Sequence, residues 1–421
     1  MGKINSFVNN DRNVKILLFA LFIISLFLRV GLTYTHFGKH GIEDWKDARL
    51  YLNTGIAFSE GNFYPPNSEE LPYIIIVPGA SLIVAASKLL FGDPIWAVLM
   101  LNCLMSALMV FVLYSLGKEL INKVAGLLLS LWSVFNFSLI RLNYQILKEP
   151  YLCLLIPLIT LFLLYIYKNK HPLKNTVLSA LSFSALIHID ERFFVYFPII
   201  LLAIVLSRRV SNRLKYAGLW FLILIISMVP WTIRNYKQFD EFVILSPRTT
   251  SFTSKIWGTN WMPLHFEGEQ QENELNERRF ESAREIADEI GVELRAHGKY
   301  EKYYMAFYHY WKPVYLKTNF IQYGFRPVKW SLSHNLAGVL FYGLFLPFYL
   351  VGFFLALNRK EHLIVFICSI PFLHSLMHTA MVWPLERYRI PMNFYIIIIS
   401  LWLCDEILSG KRKMKKSISH R

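Results

Sequence analysis

The stretch "PIWAVLMLNCLMSALMVFVLYSL" runs from Pro94 to Leu116 without a charged residue. As a helix, an apolar run of roughly 20 residues is long enough to cross a hydrocarbon core about 30 Å thick. Similar runs recur along the 421-residue chain, which is 55% hydrophobic and only 17% charged. Soluble domains average about 25% charged residues. The sequence therefore predicts an all-α polytopic membrane protein.

Apolar runs of this kind predict about ten spans. They lie at 14–34, 94–116, 124–142, 150–167, 176–187, 193–207, 214–233, 336–357, 363–382 and 391–408. One further apolar run, at 74–91, carries Pro78 and Gly79 near its start. It can be either a span or a juxtamembrane helix at the membrane interface. A short polar helix is predicted before it, over 45–58.

The basic residues indicate which loops face the cytoplasm. The chain carries 44 Lys and Arg against 29 Asp and Glu, so its net charge is +15. These cations gather in alternate short loops and in the tail at 410–421, which is the positive-inside pattern. If 74–91 crossed the membrane, every later basic loop would lie outside. The charge pattern therefore favours a juxtamembrane helix and two cytoplasmic termini, and it reports topology rather than a nucleic-acid partner.

The non-spanning segments divide the chain into three parts. Residues 1–233 form a transmembrane module with a first external loop at 35–93. Residues 234–330 form a longer external segment, with an amphipathic helix predicted over 273–294 and an aromatic helix over 300–316. Residues 331–421 hold the last three spans and the basic tail. The chain shows no duplicated half with paired broken helices, which disfavours a transporter.

Charged residues at the ends of the predicted spans converge on the external face. They are Asp44, Asp47, Lys148, Glu149, Asp190, Glu191, Arg192, Arg234, Glu386, Arg387 and Arg389. Ionisable groups near hydrocarbon are costly, so a cluster of both signs at one depth predicts a functional site. Carboxylates act as general bases, and arginines bind phosphate through paired hydrogen bonds. Such a site suits a lipid-phosphate substrate and a hydroxyl acceptor.

Several motifs from about Arg29 to the last span resemble one enzyme family. They are "KDARLYLNTGIAFSEGNFY" at 46–64, "ILKEP" at 146–150, "PWTIRNY" at 230–236, "WGTNWMP" at 257–263 and "LERYRIP" at 385–391. In this order they resemble the GT-C glycosyltransferases that use polyprenyl-phosphate sugars. That group includes the protein mannosyltransferases and the lipid A aminoarabinose transferase. The resemblance implies a GT-C fold with an external active site.

The resemblance also implies an inverting transfer in which a carboxylate accepts the proton of the acceptor hydroxyl. Asp47 is the predicted base. Glu149 is the second catalytic carboxylate, which would orient the acceptor or hold a divalent metal ion. Further substrate contacts are expected from Asp44, Tyr51 and Tyr388. The departing phosphate needs fixed cations, for which the candidates are Lys148, Arg192, Arg387 and Arg389.

Structural roles compete with these functional ones. Asp44 could simply cap its helix, and Glu149 could form an ion pair with Lys148. Residues 190–192 could be an ordinary exposed loop, and Arg387 and Arg389 could anchor the chain at the membrane interface. Arg29, near the outer end of the first span, is predicted to extend its side chain toward the interface. The histidines predicted to be satisfied within helices, rather than metal ligands, are His188, His374 and His378.

These observations predict a multi-pass glycosyltransferase of the cell membrane. It would transfer a hexosyl or pentosyl group from a polyprenyl phosphate to a lipid, polysaccharide or protein of the cell envelope. Two other classes stay open. A flippase of lipid-linked saccharides would show internal repeats and charges along a path, and a glycan polymerase or ligase would consume a diphosphate-linked donor.

Overall fold

The computed structural model describes residues 10–41, 46–63, 77–207, 210–239, 242–246, 304, 307–308, 310–313, 332–380 and 386–419. Every regular element in these ranges is an α-helix or a 3-10 helix, and they contain no strand. The prediction of an all-α chain is therefore confirmed. The chain forms two compact units, Met1–Trp261 and Met262–Arg421, and each is described by itself.

The first unit is built around one long apolar helix. Its α-helices are α1 Asp11–His40, α2 Lys46–Ser59, α3 Gly79–Phe91, α4 Pro94–Leu120, α5 Lys123–Phe135, α6 Phe137–Arg141, α7 Glu149–Tyr167, α8 Pro172–Ile189, α9 Phe197–Leu206 and α10 Arg213–Phe239. Short 3-10 helices, Leu142–Tyr144 and Glu191–Tyr196, follow α6 and α8. Helix α4 packs against α1, α5 and α7. It begins where the Asp93 side chain caps its first turn and Pro94 follows.

The second unit is a smaller helical group. Its helices are α11 Leu332–Phe341, α12 Leu346–Asn358, α13 His362–Ala380, α14 Glu386–Arg389 and α15 Asn393–Ser419. Helices α12 and α13 both pack on α15, whose first turns bury the apolar run from Phe394 to Ile399. The predicted external helix over 273–294 lies outside the described residues.

Seven helical runs within the described residues are long and apolar enough to cross a membrane. The bent pair α5 and α6 counts as an eighth if its two parts form one span. Helices α8 and α9, at the predicted spans 176–187 and 193–207, do not pass this test. With 10 residues, α9 is about 15 Å long, half the thickness of a hydrocarbon core. The multi-pass architecture is confirmed, and the count of ten is not.

Helices α2 and α3 form a helical hairpin in the first predicted external loop. Helix α2 confirms the short helix predicted over 45–58. Helix α3 has 13 residues and is about 20 Å long, which is too short for a span. Its last turn exposes Leu89, Leu90 and Phe91, each at least 70% accessible. A short helix with an exposed apolar end favours the juxtamembrane interpretation of 74–91.

Two glycines let this hairpin approach its neighbours closely. A Cβ at Gly55 of α2 would lie 2.6 Å from the backbone oxygen of Ser81 in α3. A Cβ at Gly79, the first residue of α3, would lie 2.5 Å from the backbone oxygen of His188 in α8. Both positions therefore require a residue without a side chain. Together they bring α2 to the C-terminal end of α8.

Gly79→Ala is expected to destabilise the protein by roughly 1–3 kcal/mol, because its methyl group would overlap a backbone carbonyl that cannot rotate away. The measurement is thermal unfolding of the purified protein in detergent. Gly218→Ala in α10 is the control, since a Cβ there meets nothing within 4 Å. Equal melting temperatures for the two variants would contradict the close approach of α3 to α8.

The α5–α6 bend is held by an arginine of the first helix. The two helices meet at 47°, and the side chain of Asn136 accepts a hydrogen bond from the backbone of Leu139. Arg29 of α1 donates to the carbonyl oxygens of Ser133 and Val134 at 2.7 and 3.1 Å. Its side chain is fully buried. The predicted extension of Arg29 toward the interface is therefore wrong, because the end of α5 offers it acceptors inside the protein.

Candidate functional site

The first site element is the N-terminal part of α2. Asp47 lies in the first turn of this helix and is half-buried, and Tyr51 lies one turn later and is buried. Residues four apart share a helix face, so the two side chains lie on the same side of α2. Neighbouring Ala48 packs into a cluster with Val84 of α3 and Ile146. This packing fixes the face of α2 that carries Asp47 and Tyr51.

The second site element is the start of α7. Lys148 is the N-cap residue of this helix, Glu149 is its first residue, and Pro150 fixes the chain direction at the N-terminus. Glu149 is fully buried, and 8% of Lys148 is accessible. The preceding turn is held from α4, where the amide nitrogen of Asn102 donates to the backbone oxygen of Gln145 at 2.9 Å.

The third site element is the buried carboxylate that follows α8. Asp190 Oδ1 accepts hydrogen bonds from the backbone nitrogen and the Nε of Arg192, at 3.2 and 2.8 Å. Asp190 Oδ2 lies 2.5 Å from the Nη2 of Arg192 and 3.1 Å from the Nζ of Lys148. Asp190 is fully buried and Glu191 is 5% accessible. Residues 190–192 are therefore not an ordinary exposed loop.

The electrostatics of these three elements join them into one cluster. Burial raises the pKa of the Tyr51 hydroxyl, and the carboxylates of Asp47, Glu149 and Asp190 raise it further, while Lys148 opposes them. Tyr51 therefore stays protonated and able to donate a hydrogen bond. The packing of Ala48 with Ile146 and the ion pair of Lys148 with Asp190 place these groups in one cluster.

Lys148 and Asp190 stabilise each other's charged forms. Burial opposes the charge of Lys148, but the Asp190 carboxylate outweighs it, with help from Tyr51 and Glu191, and raises the pKa of Lys148. Burial likewise opposes the charge of Asp190, but Arg192 and Lys148 together hold the pKa of Asp190 well below its usual range. Both groups are therefore ionised at neutral pH.

A second arginine ties the end of α2 to α10. The Nε and Nη2 of Arg234 donate to the backbone oxygen of Phe63 at 3.2 and 3.1 Å. Its guanidinium lies 4.6 Å from the ring centroid of Trp231, and its Nη1 donates to the side chain of Asn235. Arg234 therefore anchors the chain that leaves α2.

The predicted cations of the second unit have different surroundings. Arg389 is buried, and its Nη1 donates to the backbone oxygens of Tyr310 and Lys312 at 2.9 and 2.8 Å. Its guanidinium lies 3.7 Å from the ring centroid of Tyr342. Arg387 is half-buried and donates to the hydroxyl of Tyr388 at 3.1 Å. Arg389 is thus bound to backbone, whereas Arg387 lies beside an aromatic hydroxyl.

The rings of His188 and His374 each contact a backbone oxygen of another part of the chain. The Nε2 of His188 lies 2.9 Å from the backbone oxygen of Ser227, and that of His374 lies 3.1 Å from the backbone oxygen of Tyr388. Each contact accounts for one ring nitrogen, and the buried Nδ1 of His188 makes no hydrogen bond. No group of three or more His, Cys, Asp or Glu within the described ranges is arranged to hold a metal ion.

The structure therefore brings together five of the nine predicted site residues. Those in the first unit are Asp47, Tyr51, Lys148, Glu149 and Arg192. Those in the second unit are Arg387, Tyr388 and Arg389, and Asp44 lies outside the described residues. Sequence reasoning named Asp190 only as part of a charged turn. One feature of the sequence could have indicated this role: Asp190 lies at the end of a predicted helix, two positions before Arg192.

A comparison with known families finds one match within the first unit. The family described as dolichyl-phosphate-mannose-protein mannosyltransferase matches residues 76–232. The matched segment holds Lys148, Glu149, Asp190 and Arg192, and it begins after Asp47. No curated protein matches the chain significantly. Together with the apolar helices, this match confirms the resemblance to the GT-C glycosyltransferases and supports a multi-pass membrane glycosyltransferase that uses a polyprenyl-phosphate sugar.

Proposed function

We propose that the protein transfers one sugar from a polyprenyl phosphate to a hydroxyl group of a cell-envelope acceptor, on the external face of the cell membrane. The acceptor would be a lipid, a polysaccharide or a protein. The observation that carries this proposal is the cluster of Asp47, Tyr51, Lys148, Glu149 and Arg192 in the first unit, most of it inside the segment that matches the family. Both termini would lie in the cytoplasm.

Asp47 would act as the general base. A hydroxyl is a poor nucleophile, so a carboxylate must take its proton as the new bond forms. The acceptor oxygen would attack the anomeric carbon on the face opposite the phosphate and invert the configuration there. The bond between the anomeric carbon and the phosphate oxygen breaks, and its electron pair stays with the phosphate. Half-buried Asp47 is accessible enough to receive the proton.

Lys148 and Arg192 would stabilise the departing phosphate. The donor is a phosphodiester with one negative charge, and the product is a phosphate monoester that gains a second one. Fixed cations at the position of the developing charge lower the barrier, more so where water is excluded. Lys148 is buried and its charged form is favoured, and Arg192 is held by two contacts to Asp190. Arg387 is a further candidate, and backbone-bound Arg389 would rather support its surroundings.

Glu149 and the aromatic hydroxyls would position the two substrates. Glu149 is buried at the start of α7, where it would orient the acceptor. Tyr51 keeps its proton and would donate a hydrogen bond to the sugar or phosphate. Asp44 and Tyr388 stay predicted substrate contacts.

The test of this proposal is the donor that the purified protein consumes. One radiolabelled sugar is supplied on a polyprenyl phosphate, on a polyprenyl diphosphate, or on a nucleotide, each with envelope extract as acceptor. We expect label to move to the acceptor from the monophosphate donor alone. Transfer from the diphosphate donor would instead indicate a polymerase or ligase. Movement of intact donor across a liposome membrane without product would indicate a flippase.

A further inference from the structure

Two predicted phosphate-binding cations share one buried anchor. Lys148 precedes α7, Arg192 follows α8, and the Asp190 carboxylate contacts both. Asp190 Oδ1 accepts hydrogen bonds from the backbone nitrogen and the Nε of Arg192. Asp190 Oδ2 contacts the Nη2 of Arg192 and the Nζ of Lys148. The three side chains are at most 16% accessible. The cations therefore have a fixed separation that neither helix alone would impose.

We propose that Asp190 is a positioning residue for the donor phosphate, because its carboxylate holds the Lys148 ammonium and the Arg192 guanidinium together at the end of α8. This inference rests on the proposed function. Without the carboxylate, two like charges would repel each other and turn toward water. A phosphate would then have to gather them again at an entropic cost, whereas preorganised cations bind without it.

The backbone that carries Asp190 is held from two sides. Gly79 at the start of α3 lies against the carbonyl of His188. The ring of His188 contacts the backbone oxygen of Ser227 in α10 at 2.9 Å. Asp190 also accepts from the backbone nitrogen of Arg192 and so begins the following 3-10 helix. A side chain on such a rigid base can fix its partners to the precision that a binding site requires.

A second bridged carboxylate in the same unit provides a matched control. Glu119 at the end of α4 contacts Lys168 at 3.0 Å and Lys170 at 2.8 Å. These lysines follow the C-terminus of α7, whereas Lys148 precedes its N-terminus. The 19 residues of α7 separate the two bridges by about 28 Å. Glu119 therefore repeats the chemistry of Asp190 far from the proposed donor site.

The experiment measures binding of farnesyl phosphate, a short polyprenyl monophosphate, to the full-length protein in detergent, with farnesol as the probe that lacks phosphate. The variants are Asp190→Asn, Asp190→Glu and Glu119→Gln. Asn matches Asp in shape and also caps helix starts, so the 3-10 helix is kept. We expect Asp190→Asn to weaken farnesyl phosphate binding about tenfold or more, Asp190→Glu to recover part of it, and Glu119→Gln to change nothing. Farnesol binding should stay constant throughout.

Simple charge counting gives the opposite result and so makes the test decisive. Removing a carboxylate raises the local positive charge, and tighter phosphate binding by Asp190→Asn would overturn the proposal. Unchanged binding in a folded variant would overturn it too and leave Asp190 an ordinary structural ion pair. In transfer assays, we expect the KM for the donor to rise more than kcat falls. A wrong proposed function would give a different result from a wrong role for Asp190, because the wild type itself would then transfer no sugar from a polyprenyl phosphate.

Discussion

Asp47→Asn is expected to lower the rate of sugar transfer by about 10²- to 10⁴-fold, the usual contribution of a general base. The amide has the shape of the carboxylate but cannot accept the proton of the acceptor hydroxyl. Asp47 lies in the first turn of α2, and asparagine is tolerated near helix starts, so folding should be unaffected. The measurement is the initial rate of transfer from the monophosphate donor at saturating acceptor.

Glu60→Gln is the matched control for this variant. Glu60 follows the last residue of α2, is mostly exposed and pairs with Lys88 of α3 at 2.8 Å. It lies about 20 Å along the helix from Asp47, and its loss should leave transfer unchanged. The effect of Asp47→Asn should appear in kcat, because proton transfer belongs to the transition state. Near-normal turnover in a correctly inserted variant would exclude Asp47 as the base.

Local patterns were sufficient to predict the elements that carry the site. The motif that begins at Lys46 predicts a helix with Asp47 and Tyr51 one turn apart, and α2 has this arrangement. Pro150 after Glu149 marks the start of α7. Apolar length also predicts α4, α7 and α10 as spans. It does not predict how short α9 is, because hydrophobicity alone does not show that a 3-10 helix forms the first residues of the predicted span 193–207.

Contacts between distant parts of the chain were beyond local patterns. Arg29 lies close to a predicted span end, so its sequence position suggested an interfacial side chain. Its acceptors lie 104 and 105 residues away, at Ser133 and Val134, and they exist only because α5 ends beside α1. The bridge of Asp190 to Lys148 joins two helix ends in the same way. Both cases depend on tertiary packing, which creates acceptors and ion pairs that composition and spacing do not encode.

Arg29→Met is expected to destabilise the protein by about 3 kcal/mol. Arg29 donates to the hydroxyl groups of Ser25 and Ser106 and to the carbonyls of Ser25, Ser133 and Val134. The contacts to Ser106, Ser133 and Val134 join different helices. Interhelical hydrogen bonds in membranes average roughly 0.6 kcal/mol each, and these three would be lost together with the two bonds to Ser25 within α1. The last carbonyls of a helix have no partner within it, so those of Ser133 and Val134 would be left buried without their donor.

The opposing effect is the cost of burying a charge, which methionine avoids. We expect the cost of the unsatisfied carbonyls to exceed this gain. Each unsatisfied carbonyl costs roughly 1–3 kcal/mol, and methionine offers no hydrogen-bond donor in place of Arg29. Ser106→Ala is the control, since it removes one contact and should cost less than about 1 kcal/mol. Thermal unfolding in detergent measures both. If Arg29→Met and Ser106→Ala had equal melting temperatures, the α5–α6 bend would not depend on this arginine.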